Sequence, residues 1–89
     1  SVSLRSANPS NGPVELRLRT RSASEVSVRI YDISGRVVKT LLSDRLPDGE
    51  HDVSWDGRDS SGSVCPSGVY LVRATVGSWV GSSKLVILR

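Results

Sequence analysis

The stretch Ser54–Tyr70, SWDGRDSSGSVCPSGVY, carries the most information about the fold. It holds three glycines, two aspartates and the single cysteine, Cys65, between a tryptophan and a run of apolar residues. Asp and Gly at these spacings favour turns, and Asp59-Ser60-Ser61-Gly62 has the pattern of a type I turn. We therefore expect a long connection between two strands, with Trp55 and Tyr70 anchoring those strands in the core.

On both sides of this stretch the apolar residues recur with a period of two, the spacing that places alternate side chains on one face of a strand. In VELRLRT (14–20), Val14, Leu16 and Leu18 alternate with charged residues, and EVSVRIY (25–31) repeats the pattern. Further strands are predicted near Leu4 and over 36–42, 51–55, 69–76 and 83–89. About seven short strands and no sustained helical spacing predict an all-β, immunoglobulin-like antiparallel sandwich.

Turn residues separate these strands. Asp32-Ile33-Ser34-Gly35 and Leu46-Pro47-Asp48-Gly49 fit type I turns, and Gly77-Ser78 fits a tight hairpin. The segment Asn8–Pro13 is rich in breakers and predicts a link from a short first strand to the rest of the sheet. With 89 residues the chain has room for one domain, 1–89.

The charge pattern is that of a soluble protein with a mild basic excess, +3. Arg17, Arg19, Arg21 and Arg29 are predicted to share an outward face with Glu15 and Glu25. With only two Trp, two Tyr and no Phe, the chain lacks the stacking aromatics of nucleic-acid-binding sheets, so we predict no nucleic-acid partner. No apolar run approaches the roughly 20 residues needed to span a membrane.

The two aspartates of Ser54–Tyr70 raise the question of a metal or phosphate site. Counted from Asp56, the EF-hand pattern places Arg58 and Ser60 where ligands are required, so Asp56 and Asp59 are weak cation candidates and are better explained by turns. No helix is predicted after Gly62 or Gly68, which argues against a phosphate cradle. We predict no metal and no cofactor.

A catalytic role has little support. The only histidine, His51, lies in a predicted strand, where it is expected to face solvent or pack beside Trp55 rather than activate Cys65. Cys65 itself is expected to be a buried or half-buried thiol. The last strand is more unusual, because four apolar residues in a row, Leu85–Leu88, predict burial on both faces, within the domain or against a partner.

The order of several motifs resembles a known family. They are NPSNGPVELRLR from Asn8, VSVRIYDISGRVVKTL from Val26, LPDGEHDVSWDGRDSSGSVCPSGVYLVRA from Leu46, and the terminal SSKLVILR. Together they resemble the C-terminal immunoglobulin-like sorting domains of type IX secretion cargo, which are related to the Ig-like domain of the flagellar hook-capping protein. The matching positions are Asp32, Gly35, Arg36, Trp55, Asp56, Gly57, Gly68 and Tyr70.

This resemblance implies a non-catalytic module at the C-terminal end of a longer secreted bacterial protein. Export machinery would recognise its last strand, which here corresponds to Lys84, Leu85, Val86, Ile87, Leu88 and Arg89. An edge strand of this kind can add to a partner's sheet through backbone hydrogen bonds. The alternative is a structural or assembly module, such as a filament subunit, an adhesin spacer or a hook-cap domain, with other extracellular subunits as partners.

Overall fold

The chain folds as an all-β sandwich, as predicted. The structure is a computed structural model that describes residues 2–4 and 14–88. Seven strands lie in this part of the chain: β1 Val2–Leu4, β2 Val14–Thr20, β3 Ser24–Asp32, β4 Val37–Leu46, β5 Gly49–Trp55, β6 Gly68–Val76 and β7 Trp79–Ile87. The predicted link Asn8–Pro13 lies outside the described residues.

The strands form two antiparallel sheets. One sheet has the order β1-β2-β5 and the other the order β4-β3-β6-β7. The β3–β4 and β6–β7 connections are hairpins within one sheet, whereas the chain changes sheets after β2, β4 and β5. The long Ser54–Tyr70 connection is therefore a crossover from one layer of the sandwich to the other.

The core is built from the inner faces of both sheets. Alternate residues of β2, β3 and β6 and the last two inward residues of β7 are buried there, which confirms the alternation predicted for β2 and β3. They include Val14, Leu16, Leu18, Val26, Val28, Ile30, Val72, Ala74, Leu85 and Ile87. Burial of these branched side chains supplies most of the favourable free energy of folding. Each sheet is left with a solvent-facing outer face.

Trp55 and Tyr70 close one end of this core, as predicted. Trp55 is fully buried and Tyr70 is 6% exposed. Their rings meet edge to face with centroids 5.6 Å apart, an arrangement that aromatic quadrupoles favour. Trp55 Nε1 donates to the Arg58 carbonyl at 2.9 Å, and the Tyr70 hydroxyl donates to the Pro66 carbonyl at 2.7 Å. The two rings thus fix the crossover at both its ends.

Two turns, Asp32–Arg36 and Asp59–Ser63, share one hydrogen-bond pattern. In the first, Gly35 N–H donates to the Asp32 carbonyl and Asp32 N–H donates to the Arg36 carbonyl, both at 3.0 Å. Asp32 Oδ1 also accepts bonds from the Ser34 hydroxyl, the Ser34 N–H and the Arg36 N–H. Asp59 accepts the equivalent three bonds in the second turn. The sequence D-x-S-G-x therefore specifies the same turn twice.

The predicted common arginine face is wrong. Arg17 and Arg19 lie on the outer face of the three-stranded sheet, whereas Arg29 lies on the outer face of the four-stranded sheet, on the opposite side of the sandwich. Arg17 is engaged by Asp52 at 3.1 Å and Glu50 at 3.5 Å. Residues of β2 and β3 show the same alternation, but their two outer faces point in opposite directions because the chain changes sheets between them.

His51 lies in a strand, β5, as predicted, but it neither faces solvent nor packs beside Trp55. The half-buried ring lies on the inner side of β5, with Nε2 2.9 Å from the Pro47 carbonyl oxygen and 3.3 Å from Thr20 Oγ1. It shares that side with Trp55 but lies at the other end of the strand, roughly 13 Å away at about 3.3 Å per residue. Cys65 is buried near the Trp55 end, where its N–H bonds to the Gly57 carbonyl. The fold thus places His51 and Cys65 at opposite ends of β5.

Candidate functional site

The terminal strand β7 is the outermost strand of the four-stranded sheet, and its side chains divide between the core and the surface. Leu85 and Ile87 are 2% and 1% exposed and pack in the core. Lys84 and Val86 belong to the outer face, exposed and half-buried respectively, and Leu88 is 53% exposed just past the strand. The domain therefore buries one face of the Leu85–Leu88 run, not both.

The strand is also longer than predicted, because it begins at Trp79 rather than Ser83. It pairs with β6 along its whole length, from Trp79 opposite Val76 to Ile87 opposite Gly68. Trp79, the first residue of the strand, is 42% exposed. Of the predicted recognition residues, Arg89 lies outside the described residues.

The outer face of the four-stranded sheet carries an exposed apolar patch next to β7. Cross-strand pairing aligns Val37, Tyr31, Leu71 and Lys84 in one row, and Val69 and Val86 in the next. Val37 is 46% exposed, Val69 42% and Leu71 39%. Contiguous exposed apolar side chains on one sheet face are typical of a surface that contacts another protein. The apolar patch, as we call it, consists of Tyr31, Ile33, Val37, Val69, Leu71 and Val86.

A shallow depression of about 420 Å³ lies within this patch. Tyr31, Ile33, Val69 and Leu71 supply its apolar walls, and Arg73 and Lys84 stand at its basic side. Ile33, in the β3–β4 turn, is 85% exposed, because the Asp32–Arg36 turn carries it outward from the end of the sheet. The same turn that fixes the hairpin therefore also shapes one wall of the depression.

A basic row adjoins the patch. Arg29 of β3 lies directly opposite Arg73 of β6 in the sheet register. Arg29 donates to Ser27 Oγ at 3.4 Å, and within residues 14–88 neither guanidinium forms an ion pair with a carboxylate. Like charges placed directly opposite one another on a sheet are destabilising. The β3–β6 register thus places an unfavourable pair of like charges on this outer face.

The aspartates considered as cation ligands serve turns instead. Asp56 Oδ1 accepts the Arg58 N–H at 3.0 Å, and Asp59 Oδ1 accepts the three bonds described above. The Ser61 hydroxyl bond, followed by the Ser63 N–H bond, lowers the pKa of Asp59. The Ser34 hydroxyl and Arg36 N–H lower the pKa of Asp32 in the same way. In residues 14–88, no group of three or more His, Cys, Asp or Glu is arranged to hold a metal ion.

The other motif residues gather at the same end of the sandwich. Asp32, Gly35 and Arg36 form the β3–β4 turn, where Arg36 Nε lies 3.5 Å from Asp32 Oδ2. Gly35 has φ +90°, a conformation that side chains other than glycine rarely adopt. Asp56 and Gly57 follow Trp55, and Gly68 opens β6 two residues before Tyr70. These residues shape the turns and core behind the depression.

Sequence reasoning did not identify Tyr31, Val69, Leu71 or Arg73 as surface residues. The signal that was available is the run Val69–Val72 in β6, which is apolar on both faces of the strand. A run of this kind predicts burial on both faces of a strand, as in Leu85–Leu88. In β6 it would have indicated the exposed patch, because the inner residues Tyr70 and Val72 already account for the core.

The family assignment comes from similarity to known proteins. The model of the FlgD Ig-like domain matches residues 4–78. The basal-body rod modification protein FlgD of Salmonella typhimurium is 38% identical over 64 residues, which are 72% of this chain and 27% of that protein. FlgD of Escherichia coli is 35% identical over 66 residues, 74% of this chain and 28% of that protein. The chain thus matches about a quarter of the length of these relatives.

Three solved structures resemble the domain. Dimeric latent PorU of Porphyromonas gingivalis has a TM-score of 0.77 at 26% identity, over 98% of this chain and 9% of that one. FlgD of Pseudomonas aeruginosa has a TM-score of 0.62 at 29% identity, over 83% and 58%. PorZ of P. gingivalis, described as a surface component of the type IX secretion system, has a TM-score of 0.65 at 23% identity, over 99% and 11%, and shows the fold alone.

The described part of the chain contains no helix of the length and apolarity that a membrane crossing requires. The family match spans 75 of the 89 residues, from 4 to 78, and so covers β2 to β6 in full. The Trp-Asp-Gly stretch, both D-x-S-G-x turns and five of the seven described strands lie inside that range. The chain therefore belongs to the FlgD Ig-like domain family.

Proposed function

We propose that this chain is a non-catalytic sorting and surface-attachment module at the C-terminal end of a longer secreted bacterial protein. Export machinery recognises it through the terminal strand, at Lys84, Leu85, Val86, Ile87, Leu88 and Arg89. The module acts by protein–protein contact at the cell surface or outside the cell. Any catalytic activity of the parent protein belongs to its other domains.

The observation that carries this proposal is the position of β7 relative to the family match. The FlgD Ig-like model ends at residue 78, one residue before β7 begins at Trp79. The structural similarity to PorU, by contrast, extends over 98% of this chain and so includes most of β7. The terminal strand is thus the part of the chain that the PorU similarity includes and the FlgD model does not.

The division of β7 side chains fits recognition of a folded strand. Leu85 and Ile87 hold the strand on the core, which fixes the direction in which Lys84 and Val86 point. A partner that adds to or covers such a strand obtains affinity from backbone hydrogen bonds and specificity from alternate side chains. The outward side chains Lys84, Val86 and Leu88 would supply that specificity.

The structure also decides which experiment tests the proposal. Deleting residues 84–89 removes two core side chains, Leu85 and Ile87, and would abolish export simply by unfolding the domain. The informative variant is Val86→Ser with Leu88→Ser, which changes outward side chains only. Val80→Ser is the matched control, because Val80 is a 51% exposed residue of the same strand face at its other end.

The assay places a reporter enzyme ahead of the module in a bacterium with a type IX secretion system and compares surface and medium activity with retained activity. We expect the double variant to lower export about tenfold, the effect of losing roughly 1.4 kcal/mol of recognition, while Val80→Ser exports normally. Thermal unfolding of the purified domains verifies that both variants fold. Normal export of a folded double variant would contradict the proposal.

The alternative is an assembly module, and the FlgD family membership together with the apolar patch favours it. In that case the patch is covered by another subunit or a second copy of the chain. Sedimentation velocity over a range of concentrations tests self-association, and Leu71→Glu, in the centre of the patch, should abolish it. A monomer at every concentration would remove the self-assembly form of this alternative.

A further inference from the structure

We propose that the outer face of the four-stranded sheet docks a protein segment that carries carboxylates beside apolar side chains. Arg29 and Arg73 bind the carboxylates, and the apolar patch takes the apolar side chains. The inference rests on the proposed function as a protein-interaction module and names the chemistry of the partner. It concerns a face built mainly by β3 and β6, to which Lys84 and Val86 of the terminal residues 84–89 also contribute.

Three arginines of this fold form ion pairs with carboxylates. Arg17 contacts Asp52 and Glu50, Arg36 contacts Asp32, and Arg45 contacts Glu25. Each of these side chains has an acidic neighbour that offsets its charge. Among the described residues, Arg29 and Arg73 form no ion pair with a carboxylate, and neither do Arg21 and Arg58. Only Arg29 and Arg73 also lie directly opposite each other in the sheet register.

The pairing of β3 with β6 brings the two uncompensated positive charges together. Arg29 and Arg73 occupy directly opposed positions of β3 and β6, where Cβ atoms lie about 4.5–5.5 Å apart. One carboxylate placed over the pair would contact both guanidinium groups and relieve their repulsion. The pair is therefore a preformed site for an acidic group.

The apolar half of the site lies next to this pair. Tyr31 and Leu71 are each two residues further along the same strands, about 7 Å from the arginine row. They line the depression with Val69, and Arg73 and Lys84 border it. A partner that fits both halves places an apolar group in the depression and a carboxylate about 7 Å away.

A protein segment satisfies these requirements better than a phosphate polymer. Nucleic-acid-binding sheets present stacking aromatics and many cations along the phosphate path. Here the face offers one half-buried ring, Tyr31, and its exposed apolar area adjoins the cations. Acidic side chains interspersed with leucine, isoleucine or valine match that combination.

The test uses the 89-residue chain and two fluorescent amphipathic peptides with the same leucines. The polar positions are glutamate in one peptide and lysine in the other, and fluorescence anisotropy measures binding. We expect the glutamate peptide to bind and the lysine peptide not to bind. Binding should weaken as added salt shortens the Debye length from about 10 Å to about 3 Å.

Arg73→Glu separates recognition from stability. The substitution creates an opposite-charge pair with Arg29, so the melting temperature should stay or rise. Binding of the glutamate peptide should nevertheless fall by about fivefold or more. Arg21→Glu is the control with the same change of charge, in the β2–β3 connection away from the face, and it should bind like the wild type.

Three results would overturn the proposal. They are failure of the glutamate peptide to bind, equal affinity of Arg73→Glu and Arg21→Glu, and preferential Arg73-dependent binding of phosphatidylglycerol vesicles, which would assign the face to a membrane. Peptide failure combined with loss of export in the β7 variant would leave the sorting function standing. Normal export of that variant combined with Arg73-dependent peptide binding would overturn sorting and keep this proposal.

Discussion

Removing the hydroxyl of Tyr70 tests how the long crossover is held to the core. Tyr70→Phe retains the ring, its 6% exposure and its edge-to-face contact with Trp55. It deletes the hydroxyl that donates to the Pro66 carbonyl at 2.7 Å. A buried hydrogen bond of this kind contributes about 0.5–1.5 kcal/mol net. We therefore expect a loss of about 1 kcal/mol, or about 4–8 °C in melting temperature for a domain of this size.

Two further variants at the same ring contact should cost more. Trp55→Phe loses the Nε1 bond to the Arg58 carbonyl and part of a fully buried ring. We expect it to cost about 2–3 kcal/mol, roughly 1 from the bond and the rest from lost apolar area and the cavity. Tyr70→Ala removes the whole ring and should cost about 3–5 kcal/mol.

Urea unfolding followed by far-ultraviolet circular dichroism gives the three free energies without relying on tryptophan emission. The expected order of destabilisation is Tyr70→Phe, then Trp55→Phe, then Tyr70→Ala. If Tyr70→Phe is as costly as Tyr70→Ala, ring packing does not dominate at this site. If it matches the wild type, the bond to Pro66 does not hold the crossover, and the reasoning fails.

Asp32→Asn and Asp59→Asn should destabilise the domain at neutral pH to a similar extent, because the two carboxylates accept equivalent bonds. Both native pKa values are lowered, so the extra stability of the wild type should be complete above the unfolded-state pKa of about 3.9 and should vanish as pH falls through the lowered native pKa values. Thermal melts from pH 2 to 7 measure this dependence. A stability difference that does not change with pH would argue against it. In Gly81→Ala the new Cβ would overlap Cη2 of Trp79, so we expect the indole to move into solvent. Trp79 emission should then shift to longer wavelength and become more accessible to acrylamide, while Trp55 stays shielded; an unchanged spectrum would refute the displacement.

Part of the candidate surface was predictable from the sequence. The proposal that the last strand is a recognition element followed from its apolar run and its position in the motif order, and among the described strands β7 is the outermost of its sheet. The Arg29–Arg73 pair and the Tyr31–Leu71 row were not predictable, because they depend on which strands are neighbours. Residues separated by about forty positions become adjacent only through the β3–β6 register.

The misplaced arginines show the same limit. Alternation assigns Arg17 and Arg29 to the outer side of their strands, yet it cannot tell on which side of the sandwich each strand lies. For His51, the short-range pattern gave the strand but not the contact of the ring with Thr20 Oγ1, 31 residues away, which depends on the pairing of β2 with β5. In both cases the missing information was the spatial relation between elements.

The sequence alone therefore determined the class of fold, the inner faces of β2 and β3 and the D-x-S-G-x turns. Those properties depend on side chains two to four residues apart, through the period of a strand and the bonding of Asp, Ser and Gly in D-x-S-G-x. Only the tertiary structure decided which outer faces combine, which arginines find a carboxylate and which apolar residues stay exposed. Those properties depend on strand order and register, which are set by packing of the whole core rather than by any local segment.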